Sequence, residues 1–150
     1  MAHRDWMTQA MAAAEHARSL GEVPVGAVLV CAERVVAVGW NTRESAPDPT
    51  GHAELMALQR GAEALGRWRL TGCTLYVTLE PCPMCAPAIA QARLDRVVFG
   101  AYDPKLGAAG SVFSLIERSE YNHRVEVIGG IMEAECREQL AGFFAERRGR

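Results

Sequence analysis

"TLYVTLEPCPMCAPAIAQARLDRVVFGA", residues 74–101, reads as strand, turn, helix and strand in succession. TLYVTL is rich in β-branched and aromatic side chains, and RVVFGA is a short apolar run of the kind buried on both faces of a sheet. Between them, CPMCAPAIAQAR is helical in pattern and is entered through prolines, which a first helical turn tolerates. Cys82 and Cys85 sit three apart among Pro81, Pro83 and Pro87, and so share one face of that first turn. The positive end of a helix lowers thiol pKa and favours the thiolate that metals bind. A metal needs at least one further protein ligand, which this stretch lacks.

Working outward, residues 4–19 place Trp6, Ala10, Ala13, Ala14 and Ala17 at helical spacing, with Gly21 as the stop. VGAVLVC (25–31) and VVAVGWN (35–41) flank the short turn Ala32, Glu33 and Arg34 and predict a hairpin. TRESAPDPTG (42–51) is a loop by composition. HAELMALQRGAEAL (52–65) reads as a helix whose apolar cover comes from Leu55, Met56 and Leu58. After residue 101 come a loop, YDPKLGAAGS, a fifth strand, HRVEVIGG (123–130), and a final helix over 131–148. A hairpin followed by β-α units implies an α/β fold, with a sheet of about five strands sandwiched between helices. No linker or repeat divides residues 1–150, so one domain is expected.

The 150 residues are 49% apolar, enough for one proper core. No run approaches the roughly 18 apolar residues of a membrane helix, and the start lacks the order of a signal peptide. A soluble, cytoplasmic protein without a membrane partner is expected. The net charge of -2 gives no global basic field. Fifteen of sixteen basic residues are Arg, Lys105 being the exception, and Arg147, Arg148 and Arg150 crowd the C-terminus. That usage fits genome composition as well as phosphate binding. Five cysteines in such a chain argue against a disulfide framework, and Cys31, Cys73 and Cys136 read as buried thiols.

A lone C-x-x-C is ambiguous between zinc and redox chemistry, so the third ligand matters. His3 and His16 lie in an ordinary helical pattern, and His123 stands at the start of a strand. His52 opens a helix after a Pro- and Asp-containing loop, with Glu54 two residues on. H-A-E at 52–54 with P-C-P-M-C at 81–85 matches the H-x-E and P-C-x-x-C pattern of zinc deaminases, in which the Glu lies outside the metal shell. Two Cys and one His leave the fourth tetrahedral position for water, as catalytic zinc requires. Glu54 then takes the proton of that water, passes it to the ring nitrogen beside the attacked carbon and helps protonate departing ammonia.

The chain resembles the bacterial tRNA-specific adenosine deaminases across nearly its whole length. EVPVGAVLV, GWN, DPTGHAE, TLYVTLEPCPMC, RVVFGAYDPKLGAAGS, NHRVEV and FFAERR carry the resemblance. It implies a three-layer α/β/α sandwich, cytidine-deaminase-like, with a central mixed sheet. It also implies a homodimer that converts the wobble adenosine of a tRNA anticodon stem-loop to inosine, by attack of zinc-activated water on C6 of a flipped adenine. By position, His52, Cys82 and Cys85 would hold one Zn2+ per subunit and Glu54 would shuttle protons. Asn41 would hydrogen-bond the nucleoside, or otherwise cap the strand end. Asp103 and Lys105 would face the RNA from the 102–111 loop, and Asn122, His123 and Arg124 would reach neighbouring nucleotides. Phe144 would stack on a base, whereas Phe143 reads as core.

Gly51 and Pro87 depart from the residues usual in that family, and Tyr102 and Leu106 fall where it varies. They bear on anticodon preference rather than on the reaction. Two rivals remain. One is a free-base deaminase acting on guanine, which shares PCPMC but has no need of GAAGS, NHRVEV or an Arg-tipped helix. The other is an RNA-binding protein with structural zinc, to which Glu54 would be superfluous.

Overall fold

The computed structural model describes residues 1–149; of the C-terminal arginines, Arg150 lies outside the described residues. The described chain runs α1 (His3–Ser19), β1 (Gly26–Cys31), β2 (Arg34–Trp40), α2 (Ala53–Leu65), β3 (Cys73–Leu79), α3 (Cys85–Gln91), β4 (Arg96–Ala101), β5 (Glu126–Ile128) and α4 (Glu133–Arg148). A short 3-10 helix, Ser119–Tyr121, precedes β5.

The sheet is mixed, in the order β2-β1-β3-β4-β5. β1 is antiparallel to both β2 and β3, while β3, β4 and β5 run parallel. Alternation along each strand sorts the core into two layers. Ala27, Leu29, Leu75, Val77, Val97 and Phe99 pack with Ala53, Ala57 and Leu58 of α2 and with Ala86, Ile89 and Ala90 of α3. The alternate residues Val28, Val30, Tyr76 and Val98 pack with Trp6, Met7 and Ala10 of α1 and with Cys136 of α4. The result is the three-layer α/β/α sandwich. No helix among the described residues is long and apolar enough to cross a membrane.

The hairpin turn is Ala32–Glu33, with φ 52 and 61. Two positive φ values match the twist of the strands they join. Arg34 therefore belongs to β2 rather than to the turn.

Three expectations need correction. The buried stripe of α2 is Ala53, Glu54, Ala57, Leu58 and Gly61, while Leu55 and Met56 are half-buried. Small residues face the sheet because the helix backbone rests on it: a Cβ on Gly39 of β2 would lie 2.1 Å from the Ala53 carbonyl oxygen. That contact seats the N-terminus of α2 against the end of β2. The fifth strand is only Glu126–Ile128, because the chain turns away through Gly129 and Gly130, the latter with φ 85. Among the thiols, Cys73 and Cys136 are buried, but Cys31 is only half-buried at the end of β1.

Candidate active site and metal centre

The parallel strands β3 and β4 end on the same edge of the sheet, where open α/β folds place their ligands. Three pieces of chain converge there. β3 runs into Glu80, Pro81 and Cys82, Asn41 directly follows β2, and α2 starts after His52. Regular helix begins at Cys85 rather than at Cys82, since Pro83 lies in the intervening turn. The Cys82 carbonyl nevertheless accepts the N–H groups of Cys85 and Ala86, at 3.1 and 2.9 Å, which folds both sulfurs to one side.

His52 is the N-cap of α2, in extended conformation, and its side chain takes no part in capping. Asn41 supplies that function instead. Its Oδ1 accepts the Ala53 N–H at 3.0 Å, and its Nδ2 donates to the Val23 carbonyl at 3.2 Å. The imidazole is thereby left free to point at the cysteines. His52 Nδ1 lies 3.6 Å from Cys82 Sγ and 3.4 Å from Cys85 Sγ. With bonds of about 2.0 Å to nitrogen and 2.3 Å to sulfur, a tetrahedral ion holds such ligands roughly 3.6 Å apart, so the donor set fits one. His52, Cys82 and Cys85 are the group of side chains, among the described residues, that could hold a metal ion.

Electrostatics favour the same use. Cys82 is held down at about 3, first by a hydrogen bond from Cys85, with further bonds from His52 and from the backbone N–H groups of Cys85 and Met84 outweighing burial. It is the thiolate of the pair. Cys85 is pushed up by that neighbour and by burial, and a bound cation would favour loss of its proton. The hydrogen bond with Cys82 raises His52, against burial. Glu54, 4% exposed, is pushed up to about 7 by burial. A cation on the neighbouring ligands would draw that value down.

A cavity of about 370 Å³ opens over this group, and its wall includes His52, Glu54 and Cys82. Asn41, Asp103 and Phe144 line it as well, together with Phe143. Phe143 is buried, in keeping with a core residue, and Phe144 is 45% exposed. Asp103 is partly committed already: its Oδ1 accepts the N–H groups of Lys105 and Leu106 at 2.9 and 3.2 Å. Lys105 is exposed and lines no part of the cavity.

Asn122, His123 and Arg124 are not brought to the cavity. With Glu117, Arg118 and Ser119 they line a separate depression of about 510 Å³. His123 is tethered there through Nε2 to the Leu94 carbonyl at 2.7 Å, and Asn122 takes φ 52 at the end of the 3-10 helix.

Two buried carboxylates of the cavity wall were not singled out from the sequence: Glu22 and Glu80, each 2% exposed. Glu22 accepts the backbone N–H groups of Glu44 (3.1 Å) and Ser45. Burial would raise its pKa, yet hydrogen bonds from Ser45, Glu44 and Arg43 together hold it below the usual carboxylate range. Glu80 accepts from the 102–111 loop. The available signal was a carboxylate directly after an unbroken buried strand, TLYVTL, where no solvent-facing position was due.

A family model described as MafB19-like deaminase matches residues 1–148. The tRNA-specific adenosine deaminase of Bacillus subtilis is 46% identical over 143 residues, covering 95% of this chain and 89% of that protein. The chain belongs to the tRNA-specific adenosine deaminase family. A solved structure from studies of A-to-I editing by tRNA:A34 deaminases superposes with a TM-score of 0.86 at 43% identity, covering 90% of this chain and 98% of the other. A guanine deaminase from Bacillus subtilis is more distant, with a TM-score of 0.66 at 35% identity, covering 77% and 73%. Family membership thus agrees with the cytidine-deaminase-like sandwich and with a hydrolytic deaminase site.

Proposed function

We propose that this protein hydrolytically deaminates the wobble adenosine of a tRNA anticodon loop to inosine. The observation that carries the reading is the placement of Glu54, buried in the cavity wall beside the three ligand atoms. A purely structural metal has no use for a proton carrier there. Relatives matched over most of their length favour tRNA adenosine over free guanine as substrate.

A zinc ion held by His52 Nδ1 and the two thiolates would supply Lewis acidity that brings the pKa of water to around 7. Every other part falls to side chains of this protein. Glu54 accepts the proton of the attacking water as oxygen bonds to C6 of adenine. It delivers that proton to the adjacent ring nitrogen and then assists protonation of the amine as the C6–N bond breaks, so that ammonia leaves and inosine remains. The cavity, about 370 Å³, is of a size that takes a single extruded nucleoside. Asn41 presents its amide to the nucleoside while capping α2, Asp103 borders it from the 102–111 loop, and Phe144 offers a stacking surface for a neighbouring base. Lys105, Asn122, His123 and Arg124 serve RNA that extends beyond the cavity.

A homodimer in the cytoplasm completes this reading. Exposed Val112 and Phe113, just beyond the 102–111 loop, give a second copy apolar surface to cover.

The test is to incubate zinc-loaded protein with an anticodon stem-loop carrying wobble adenosine, beside free guanine and cytidine, and to assay products by mass. Inosine confined to the stem-loop is expected. Ammonia from a free base, with the RNA untouched, would overturn the substrate but keep the chemistry. No product from any of the three, with zinc bound, would leave the metal a structural role.

A further inference from the structure

Glu80 lines the cavity, yet the reaction proposed above gives it nothing to do. One carboxylate oxygen accepts the Asp103 N–H at 3.0 Å and the Ser111 hydroxyl; the other accepts the N–H groups of Ala109 and Ser111, each at 3.0 Å. An ionised carboxylate offers about four acceptor sites, so these donors saturate it. All of them belong to the 102–111 loop, which brings Asp103 and Leu106 to the cavity wall. The fit is close on the loop side too, since a Cβ on Gly107 would lie 2.5 Å from Glu80 Cδ and Oε1. Regular pairing does little for this loop, whose one ladder contact among the described residues is the isolated bridge between Ala109 and Ser114. The carboxylate that gathers the loop is two residues from Cys82 in a rigid, proline-containing turn.

We propose that Glu80 is a positioning residue for the nucleic-acid substrate. It ties the 102–111 loop to the strand end that carries the metal-ligand cysteine, and so sets the distance between the wall that holds the nucleoside and the centre that attacks it. Pre-organisation of this kind acts on substrate binding, because a loose wall must be ordered each time RNA enters. The inference rests on the reading of the site as a tRNA adenosine deaminase.

Glu80→Gln is the first test, because it keeps the shape and replaces one acceptor with a donor. If the amide nitrogen takes the place that faces Asp103, the Ser111 hydroxyl can turn and accept, which leaves the Asp103 N–H without a partner. In zinc-loaded protein, hydrogen exchange at Asp103 should quicken about tenfold or more, with Ala53 and Ala86 at the helix starts unchanged. KM for the wobble-adenosine stem-loop should rise by about tenfold while kcat stays within roughly threefold and zinc remains stoichiometric. Ser111→Ala removes one of the loop's own donors to that carboxylate and should raise KM with Glu80 intact. It also decides the matter if Glu80→Gln fails to fold.

An unchanged KM in both variants overturns the inference. So does loss of zinc from Glu80→Gln, which would make the residue a support for Cys82 instead. Failure of the wild-type protein to form inosine sinks the functional reading and the inference with it; an active wild type with indistinguishable variants sinks the inference alone.

Discussion

Glu54 and Glu80 line one cavity and are almost equally buried, at 4% and 2% exposure, yet their surroundings are opposite. Glu80 receives donors to both oxygens from a single loop. Glu54 sits in a wall where burial dominates, and its carboxyl is pushed up to about 7. Burial by itself therefore says little about what a carboxylate does. A carboxylate saturated by the donors of one loop is committed to architecture, whereas one that faces the ligand atoms with few fixed donors is free to give and take a proton. Glu22 falls on Glu80's side of the contrast, since its hydrogen bonds hold the 43–45 segment on another part of the wall.

The largest effect should come from the chemical member of the pair. Glu54→Ala should lower turnover by about 100- to 10,000-fold while zinc content and stem-loop affinity stay near wild type. Turnover at the wild-type rate would abolish the contrast. Its metal half is checked by Cys82→Ala, which should empty the site of zinc and lower Tm by about 5 °C or more, because site formation and folding are coupled. Full zinc and an unchanged melt would remove Cys82 from the ligand set.

Glu22 should register in stability rather than in rate. Glu22 has a pKa below its ordinary 4.5 in the folded protein, so its stabilisation is present above 4.5 and fades as pH falls through the lower folded value. Glu22→Gln should cost roughly 1–3 kcal/mol at neutral pH. The gap from wild type should then close under acid. Denaturant melts from neutral to acid pH measure it, and a gap independent of pH would mean that the charge on Glu22 contributes nothing. The smallest effect is reserved for the depression away from the cavity. Arg124→Ala should weaken stem-loop binding only modestly and reduce its salt slope by about 1. An identical slope would show that the arginine meets no phosphate.

Local pattern made much of the fold legible. Unbroken apolar or β-branched runs marked β1, β3 and β4, and H-x-E with P-C-x-x-C picked out His52, Cys82 and Cys85, whose ligand atoms the fold brings together. Errors arose where neighbours in space outweighed neighbours in sequence. Leu55 and Met56 lost the buried face of α2 to smaller residues because Gly39 lets the helix backbone approach. The fifth strand ended early at a glycine pair. Asn41 proved to cap a helix twelve residues away.

The sequence by itself determined the layers, the strand-turn-helix that presents two cysteines, and the residue types of a metal-assisted deaminase. Those properties follow from side-chain period and short spacings, which act within a few residues. Only the tertiary structure decided that Glu80 gathers the 102–111 loop, that Asn41 rather than His52 caps α2, and that Asn122, His123 and Arg124 stand apart from the cavity. Each of these depends on donors and acceptors meeting across long separations, such as the 29 residues between Glu80 and Ala109. Such meetings are set by how the whole chain packs, and no local pattern encodes them.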